Sequence, residues 1–315
     1  MRVLIVGVTG FAGGYLAREL SRTGDEVWGA ARPKSETPSR LVLDGGVGEI
    51  PVLPCDVTDA AQVAAALDRS SPEAVVLLAG LASPPQADRN ASQAYAVHAM
   101  GAVNLLEETA RRGSGTRVLL VTSGEIYGAV PESELPVRED AALRPTTVYA
   151  SSKAAADLAG RAFALAKEVD VVRARPFNHT GPGQTTDFVC PDFAAQVASI
   201  ARGDREPVIE VGNLESRRDF TDVRDVVRGY AAALRRGRSG EAYNLCRGRA
   251  VAVGDVLRDL CAIAGIEPEV RTAANRQRRA EIAASFGDPG KARAELGWET
   301  AIPWRKTLGD LLASA

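Results

Sequence analysis

Short, continuous apolar runs alternate with longer alanine-rich stretches in the first half of the chain, and this alternation constrains the fold more than any other feature. The apolar runs are RVLIVGV, DEVWGAAR, EIPVLPCDV, EAVVLLAG and RVLLVTSG. Such runs are typical of strands that are buried on both faces of a sheet. The stretches between them are long enough for covering helices: FAGGYLARELSRTG, DAAQVAAALDRS and SQAYAVHAMGAVNLLEETARRG. The pattern predicts an α/β fold with a doubly wound parallel sheet.

The alternation loosens after about residue 176, where prolines and glycines cluster in RPFNHTGPGQ. Strand-like pieces such as EPVIEVG are then separated by irregular segments, which predicts a smaller α+β lobe. RRDFTDVRDVVRGYAAAL and EAYNLC are interpreted as a helix and a strand that return to the main sheet, so we expect this lobe to be discontinuous in sequence. We therefore predict a first domain over 1–175, with returning segments near 217–248, and a second lobe within 176–315.

Composition and charge exclude several classes of protein. The 315 residues include 38 basic and 40 acidic side chains, so no overall field favours nucleic acid or an anionic membrane. No apolar stretch approaches the roughly 18 residues of a membrane span, and the apolar start breaks into TGFAGG instead of forming a signal peptide. Four dispersed cysteines and two histidines predict neither a metal site nor a disulfide framework. We expect a cytoplasmic protein.

Three evenly spaced glycines, Gly7, Gly10 and Gly13, follow the first predicted strand within GVTGFAG and open a predicted helix. Glycine here allows a tight turn, close approach of the backbone to a pyrophosphate, and close helix–strand packing. The N-terminal amides of the helix would then face the phosphates. Because of this position between a strand and a helix, we predict a Rossmann-type dinucleotide site.

The end of the second predicted strand indicates which dinucleotide is bound. An NAD-preferring fold usually places an acid there, whereas this strand ends in VWGAARPK, with Arg32 and Lys34. A guanidinium suits a 2′-phosphate, so we expect NADP, with NAD possible and a solvated basic loop as the alternative. Asp56, after PVLPC, is predicted to meet the adenine amino group, or else to be an acid near a helix N-terminus.

The stretch TVYASSK sets Tyr149 and Lys153 one turn apart on one face of a predicted helix. The neighbouring ammonium is expected to lower the pKa of the phenol. Such a tyrosine can give a proton to a carbonyl oxygen as hydride arrives, or take one from an alcohol. Ser123, in the loop that follows RVLLV, is predicted to hold the same oxygen, because ligands of parallel sheets bind at the carboxyl ends of the strands.

These residues resemble the extended short-chain dehydrogenase/reductase family, in particular its enzymes of nucleotide-activated sugars. The motifs that carry the resemblance are GVTGFAG at 7–13, SGEIYG at 123–128, YASSK at 149–153, RPFNHTGPGQ at 175–184 and RRDFTDVRDVV at 217–227. Together they span nearly the whole chain. The last two are most similar to reductases of GDP-4-dehydro-6-deoxy-D-mannose.

The resemblance implies roles for particular residues. The catalytic triad would be Ser123, Tyr149 and Lys153, with Lys153 also holding the nicotinamide ribose. The residues lining the cofactor pyrophosphate would be Gly7, Gly10, Phe11 and Gly13. The diphosphate of the sugar nucleotide would be met by Asn178, Arg218 and Arg279. Two histidines receive no catalytic role: His98 stands where the family commonly has asparagine, and His179 is expected to shape the loop around Asn178.

Glu125 leaves the reaction open. In the related dehydratases a carboxylate two residues past the catalytic hydroxyl removes the C5 proton. The resemblance therefore implies either an NAD(P)H-dependent 4-ketoreductase or a nucleotide-sugar 4,6-dehydratase with Glu125 as base. A 4-epimerase and a non-catalytic dinucleotide-binding protein are further alternatives. We favour the ketoreductase because RPFNHTGPGQ and VGNLESRRDFTDVRD are reductase-like, and because an inert protein has little reason to keep Lys153 beside a phenol.

Two predicted helices carry small apolar residues on more than one face: those of SQAYAVHAMGAVNLLEETA and YASSKAAADLAGRAFAL. One face can cover the sheet while another pairs with a second subunit. We therefore predict a homodimer built on a four-helix bundle, with a densely packed monomer as the alternative.

Overall fold

The computed structural model describes residues 1–33, 37–43, 45–113, 115–273 and 282–315. The strands of this part of the chain are β1 (Arg2–Val6), β2 (Glu26–Ala31), β3 (Arg40–Leu43), β4 (Gly48–Pro54), β5 (Ala74–Leu77), β6 (Arg117–Val121), β7 (Val171–Pro176), β8 (Asn178–Thr180), β9 (Val208–Val211), β10 (Arg217–Arg218), β11 (Phe220–Asp222), β12 (Ala242–Leu245), β13 (Val251–Ala252), β14 (Glu269–Thr272) and β15 (Ala284–Ser285). The α-helices are α1 (Phe11–Arg22), α2 (Ala60–Ser70), α3 (Pro84–Arg89), α4 (Ala91–Tyr95), α5 (Gly101–Arg112), α6 (Val148–Ala166), α7 (Val189–Ala201), α8 (Val223–Arg236), α9 (Val253–Ala264) and α10 (Trp304–Ala313).

Within the described ranges, one large sheet of eight strands has the order β12-β7-β6-β5-β1-β2-β4-β3. Its neighbouring strands pair in parallel, except that β3 is antiparallel to β4 at the edge. The chain moves outward from β1 to one side through β2 and β4, and then returns to the other side of β1 at β5. The predicted doubly wound parallel sheet is confirmed, and its order reverses between β1 and β5.

Alternate residues of the strands enter two separate cores, one on each face of the sheet. From β1, Val3 and Ile5 pack with the apolar faces of α1 and α8. Leu4 and Val6 pack on the opposite face with α2 and α5. Because side chains of a strand alternate between faces, a strand covered on both sides is typically apolar along its buried length, as Val3–Val6 of β1 is.

The helix predicted from SQAYAVHAMGAVNLLEETARRG is interrupted by one π-helical turn, Ala96–Met100, between α4 and α5. The backbone remains helical on both sides of this turn, at Tyr95 and Gly101. Such turns are rare, and they change which residues face a neighbouring element. Here the turn includes His98, which is directed toward α6.

A third core joins α7, α9, α10 and β9, and it lies apart from the two faces of the large sheet. It includes Phe193, Ile209, Leu260 and Leu308. The chain after residue 176 does not belong to this core throughout. The strand β12 lies in the large sheet beside β7, whereas α9, which comes later in the sequence, belongs to this core. The domain boundary near residue 175 stays a prediction.

No helix in the described ranges is both long enough and apolar enough to cross a lipid bilayer.

Candidate active site

Gly7 and Gly13 bring three elements of the fold closer together than any other residue would allow. Gly7 follows β1 with a φ of +96°, and a β-carbon on it would stand 2.6 Å from the amide nitrogen of Ala79, just after β5. A β-carbon on Gly13, in the first turn of α1, would stand 2.5 Å from the carbonyl oxygen of Val8. The crevice at the reversal point of the sheet therefore depends on glycine for its backbone geometry.

The start of α1 has the donor set that a pyrophosphate requires. Gly10 is the N-cap residue, and it supplies no side-chain cap for the first amides of the helix. These amides carry the positive end of the helix dipole at the mouth of the crevice. Phe11 closes one side, with its ring stacked on His179 at 6.2 Å between ring centroids. The residues present at the crevice therefore fit a bound dinucleotide phosphate.

Arg32 and Asp56 follow β2 and β4, at the same edge of the sheet as the glycines. The Arg32 side chain is exposed, and its carbonyl oxygen accepts a hydrogen bond from the Thr37 hydroxyl. Asp56 is partly buried, and its Oδ1 accepts hydrogen bonds from the Thr58 amide and hydroxyl. The N-cap of α2 is Asp59, not Asp56. Lys34 lies outside the described residues.

Ser123 stands directly after β6, where the chain enters a short 3-10 turn at Gly124–Tyr127. Its hydroxyl caps this turn by accepting a hydrogen bond of 3.1 Å from the amide of Glu125. The phenol of Tyr149 lies close enough to the same hydroxyl for their interaction to lower the pKa of the phenol. The loop after β6 and the first turn of α6 thus bring two hydroxyl groups together at the carboxyl edge of the sheet.

Lys153 lies one turn after Tyr149 on α6, and it is only 7% exposed. Its Nζ donates a 3.2 Å hydrogen bond to the carbonyl oxygen of Val121, the last residue of β6. Burial lowers the pKa of Lys153 to about 8. The ammonium is therefore held at the carboxyl end of β6, two residues before Ser123.

The pKa of Tyr149 is not lowered as expected from its neighbour Lys153. Burial raises the pKa of Tyr149, the negative charge of Glu125 raises it further, and only the hydrogen bond with Ser123 lowers it. The prediction that the ammonium lowers this pKa is wrong for the chain alone, because loss of solvation around the phenol is the largest effect and the charge of Glu125 acts in the same direction. At neutral pH the phenol keeps its proton, which is the form that can act as an acid.

Two of the three residues expected to hold a sugar diphosphate lie on short strands, Asn178 on β8 and Arg218 on β10. Asn178 begins β8, which pairs with β11, and it is partly buried. Arg218 lies on β10, and its Nη1 donates to the carbonyl oxygens of Arg217 and Ile282. His179 Nδ1 lies 3.1 Å from the carbonyl oxygen of Phe177, which keeps the ring beside Phe11. Arg279 lies outside the described residues.

Sequence reasoning missed a buried carboxylate one turn beyond Lys153. Asp157 is fully buried, and it accepts hydrogen bonds from Arg173 Nη1 at 2.5 Å, Arg175 Nη2 at 2.7 Å and the Thr122 hydroxyl at 3.1 Å. Burial alone would raise the pKa of Asp157, but the two guanidinium groups hold it below its usual range. The alternating arginines of VVRARP in an otherwise apolar strand were the available signal.

The Asp157 cluster fixes α6 against the two strands that flank the site. Thr122 precedes Ser123 after β6, while Arg173 and Arg175 belong to β7. Arg175 also donates to the Tyr127 hydroxyl at 2.7 Å, and Tyr127 donates to Asn244 of β12. The helix that carries Tyr149 and Lys153 is therefore tied to three strands by buried polar contacts.

Comparison with known proteins gives consistent relatives. The family model described as GDP-mannose 4,6 dehydratase matches residues 4–310. The GDP-6-deoxy-D-mannose reductase of Pseudomonas aeruginosa is 34% identical over 242 residues, which cover 77% of this chain and 80% of that protein. The GDP-6-deoxy-D-talose 4-dehydrogenase of Aggregatibacter actinomycetemcomitans is 28% identical over 305 residues, which cover 94% and 92%.

A solved structure, that of RMD from Pseudomonas aeruginosa complexed with NADPH, superimposes with a TM-score of 0.84 at 29% identity. The match covers all of this chain and 98% of that one.

Proposed function

Because the chain belongs to the GDP-mannose 4,6-dehydratase family of extended short-chain dehydrogenases/reductases, we propose that it is an NADPH-dependent reductase of a 4-keto-6-deoxy nucleotide sugar. The proposed substrate is GDP-4-dehydro-6-deoxy-D-mannose, supported by the 34% identity with a GDP-6-deoxy-D-mannose reductase. The observation that carries the proposal is the meeting of Ser123, Tyr149 and Lys153 at the edge of the sheet where the glycine crevice opens.

NADPH would be held by the crevice and the strand ends around it. The first amides of α1 and the close approach allowed by Gly7 and Gly13 suit its pyrophosphate. Arg32, exposed after β2, suits the 2′-phosphate, and Lys153 suits the hydroxyls of the nicotinamide ribose. NAD remains the second choice, since a single described guanidinium carries the preference for NADP. When bound, the nicotinamide supplies a hydride to C4 of the sugar.

The protein's own groups complete the reduction at the C4 oxygen. Tyr149 donates its phenolic proton to that oxygen, and Ser123 donates a hydrogen bond to it, so the ketone becomes an alcohol. Lys153 is the cation proposed to lie near the phenolate that remains after the proton has left, although it does not set the pKa of the phenol in the chain alone. The raised pKa of Tyr149 keeps the donor protonated at neutral pH, so the phenol can give its proton as hydride arrives.

A 4,6-dehydratase is the second candidate, because Glu125 lies close enough to Tyr149 for its charge to raise the pKa of the phenol. A dehydratase would use this carboxylate to remove the C5 proton. It would also need Tyr149 as a base in its first, oxidative step, and the raised pKa opposes that role. A 4-epimerase would use Ser123, Tyr149 and Lys153 in the same way and would need no catalytic role for Glu125.

One incubation series separates these reactions. Purified protein is given NADPH with the 4-keto product made from GDP-mannose, and in parallel GDP-mannose alone. The reductase predicts NADPH consumption only with the keto sugar. Loss of water from GDP-mannose without net consumption of cofactor would contradict the reductase and support the dehydratase, and a C4 epimer without reduction would support the epimerase.

We also propose that the chain forms a homodimer through α4, α5 and α6. Four large apolar side chains on these helices and the π turn are more than a third exposed: Tyr95, Met100, Leu158 and Leu165. The two helical elements are already neighbours, since the Tyr95 hydroxyl donates to Ser151 at 2.7 Å. Pairing each of them with its copy would bury this apolar surface in a four-helix bundle.

A further inference from the structure

His98 is a buried histidine beside the proposed active site that the mechanism above does not use. It is 3% exposed and lies in the π turn between α4 and α5. Its ring meets that of Tyr149 edge-on, with centroids 5.6 Å apart. Its Nε2 also borders Gly80, together with the Nζ of Lys153: a β-carbon on Gly80 would stand 2.9 Å from the first and 3.4 Å from the second. The imidazole therefore packs against the ring of Tyr149 and lies near enough to Lys153 for the charge of the ammonium to act on it.

The hydrogen bonds of His98 fix its tautomer. The amide of Leu81 can only donate, and it lies 2.9 Å from Nε2, so Nε2 carries no proton. The proton of the neutral ring is then on Nδ1, which donates to the Ser152 hydroxyl at 2.8 Å. That hydroxyl in turn donates to the carbonyl oxygen of Tyr149 at 2.9 Å. Because the Leu81 amide can only donate, the direction of every later hydrogen bond in this series is fixed, from His98 to Ser152 and from Ser152 to the carbonyl of Tyr149.

The series joins the segment after β5 to the first turn of α6. One end is the segment after β5, whose Ala79 and Gly80 border the glycine crevice and Lys153. The other end is the first turn of α6, which Thr147 caps and which carries Tyr149. A shift of the imidazole would move the Tyr149 carbonyl and the face of its ring together.

We propose that His98 is a positioning residue, which as a neutral imidazole holds the first turn of α6 against the segment after β5 and so sets the orientation of Tyr149 and Lys153. The titratable groups that face it are both on α6, Tyr149 and Lys153, while the segment after β5 offers backbone. Glu125 approaches Tyr149 from the loop after β6. A charged imidazole would place a second cation beside Lys153 and a proton against the Leu81 amide, so only the neutral ring fits.

This inference rests on the proposed reductase, so the kinetic test begins with wild-type turnover. His98→Phe keeps a ring beside Tyr149 and removes both nitrogens; kcat should fall by about tenfold to a hundredfold, because a small misplacement of a catalytic group costs that much. KM for the keto sugar should change little, since the site that binds the diphosphate is elsewhere. His98→Gln, which offers an acceptor and a donor, should recover part of kcat.

Two further variants separate positioning from general support of the fold. Ser152→Ala breaks the link from His98 to Tyr149, and adding it to His98→Phe should cost almost nothing more, since both changes cut one series. Thr109→Val removes another buried hydroxyl, on α5, which bonds only within its own helix. That control should keep wild-type kcat.

The tautomer gives a readout that needs no turnover. The chain has two histidines, so spectra of protein labelled with ¹⁵N-histidine contain two rings, and the His98→Gln variant assigns them. Burial, with the charge of Lys153 adding to it, lowers the pKa of His98 to about 3. We expect a neutral ring protonated on Nδ1 throughout the neutral range; an Nε2-protonated ring, or one that titrates near its usual pKa of about 6.5, would overturn the inference.

The two proposals fail in different ways. Wild-type protein without turnover of any keto sugar would overturn the proposed reductase, and the spectra would still decide the placement of His98. An active wild type whose His98→Phe variant keeps full kcat would overturn the role of His98 alone.

Discussion

Replacing Asp157 by Asn tests whether the buried cluster under α6 holds that helix in place. The substitution keeps the shape of the side chain and removes its negative charge. In the wild type, this carboxylate accepts hydrogen bonds from Arg173, Arg175 and Thr122. In the variant, two buried guanidinium groups would face each other with an amide between them, and the amide nitrogen cannot accept from either.

The expected cost follows from the burial of all three charged groups. Asp157 is fully buried, and the side chains of Arg173 and Arg175 are 7% and 5% exposed. Breaking a buried ion pair by removing one partner typically costs about 3–5 kcal/mol. For 315 residues, an unfolding entropy of about 2.1 cal/mol/K per residue gives roughly 0.7 kcal/mol/K, so this cost corresponds to a fall in Tm of about 4–7 °C.

The assay is thermal or urea unfolding of the variant beside Asp170→Asn. Asp170 also pairs with an arginine, Arg117 at 2.8 Å, but both side chains of that pair are partly exposed, so its loss should cost about 1 kcal/mol or less.

The pH dependence has a definite sign. The folded pKa of Asp157 is lowered, so its contribution is present above the unfolded value of about 3.9 and is lost as the pH falls through the folded value. If Asp157→Asn and Asp170→Asn lower the free energy of unfolding equally at neutral pH, the larger cost assigned to the buried cluster is refuted.

Three further predictions concern the crevice, the ammonium and the subunit contact. Gly13→Ala should weaken NADPH binding by more than about tenfold in titration calorimetry, since a clash of about 1.4 kcal/mol already gives that factor. The control Gly14→Ala should bind NADPH normally, because its β-carbon would meet nothing within 4 Å. Turnover should be flat below and fall above about pH 8, where Lys153 loses its charge while Tyr149 stays protonated; a rate constant that stays flat through the alkaline range would contradict this. Leu158→Glu combined with Leu165→Glu should convert a dimer into a monomer in light scattering, and a monomeric wild type would rule out the proposed bundle.

The large sheet was predictable because several of its strands, such as β1, β5 and β6, are apolar along their buried length. RVLIV and RVLLV have no polar face after their first residue, and this pattern is typical of a parallel strand covered on both sides. The glycine crevice was predictable for a related reason, since Gly7 and Gly13 occupy positions where a β-carbon would overlap backbone atoms. Both features are decided by local sequence together with one steric requirement.

The electrostatics of the site could not be predicted from residue spacing. The four-residue spacing of Tyr149 and Lys153 places them on one face, but it does not reveal that burial dominates the pKa of the phenol. The π turn was equally hidden, because a helix with one additional residue has the same apolar pattern over a short stretch. The sequence therefore gives no sign of the contacts of His98 with Leu81 and Ser152, which depend on the tertiary structure.

The roles of the arginines follow the same division. Arg173 and Arg175 lie in a strand whose apolar pattern they interrupt, and only the fold shows that both serve Asp157. The roles of Asn178 and Arg218 toward a sugar diphosphate stay predictions.

The most direct test of the proposed chemistry is the Tyr149→Phe variant, measured for turnover and for NADPH binding in the same preparation. Loss of the phenolic proton should lower kcat/KM for the keto sugar by about 10²- to 10⁴-fold, while the dissociation constant of NADPH stays near that of the wild type. A variant that still reduces the keto sugar at the wild-type rate would contradict the account, because another group would then supply the proton.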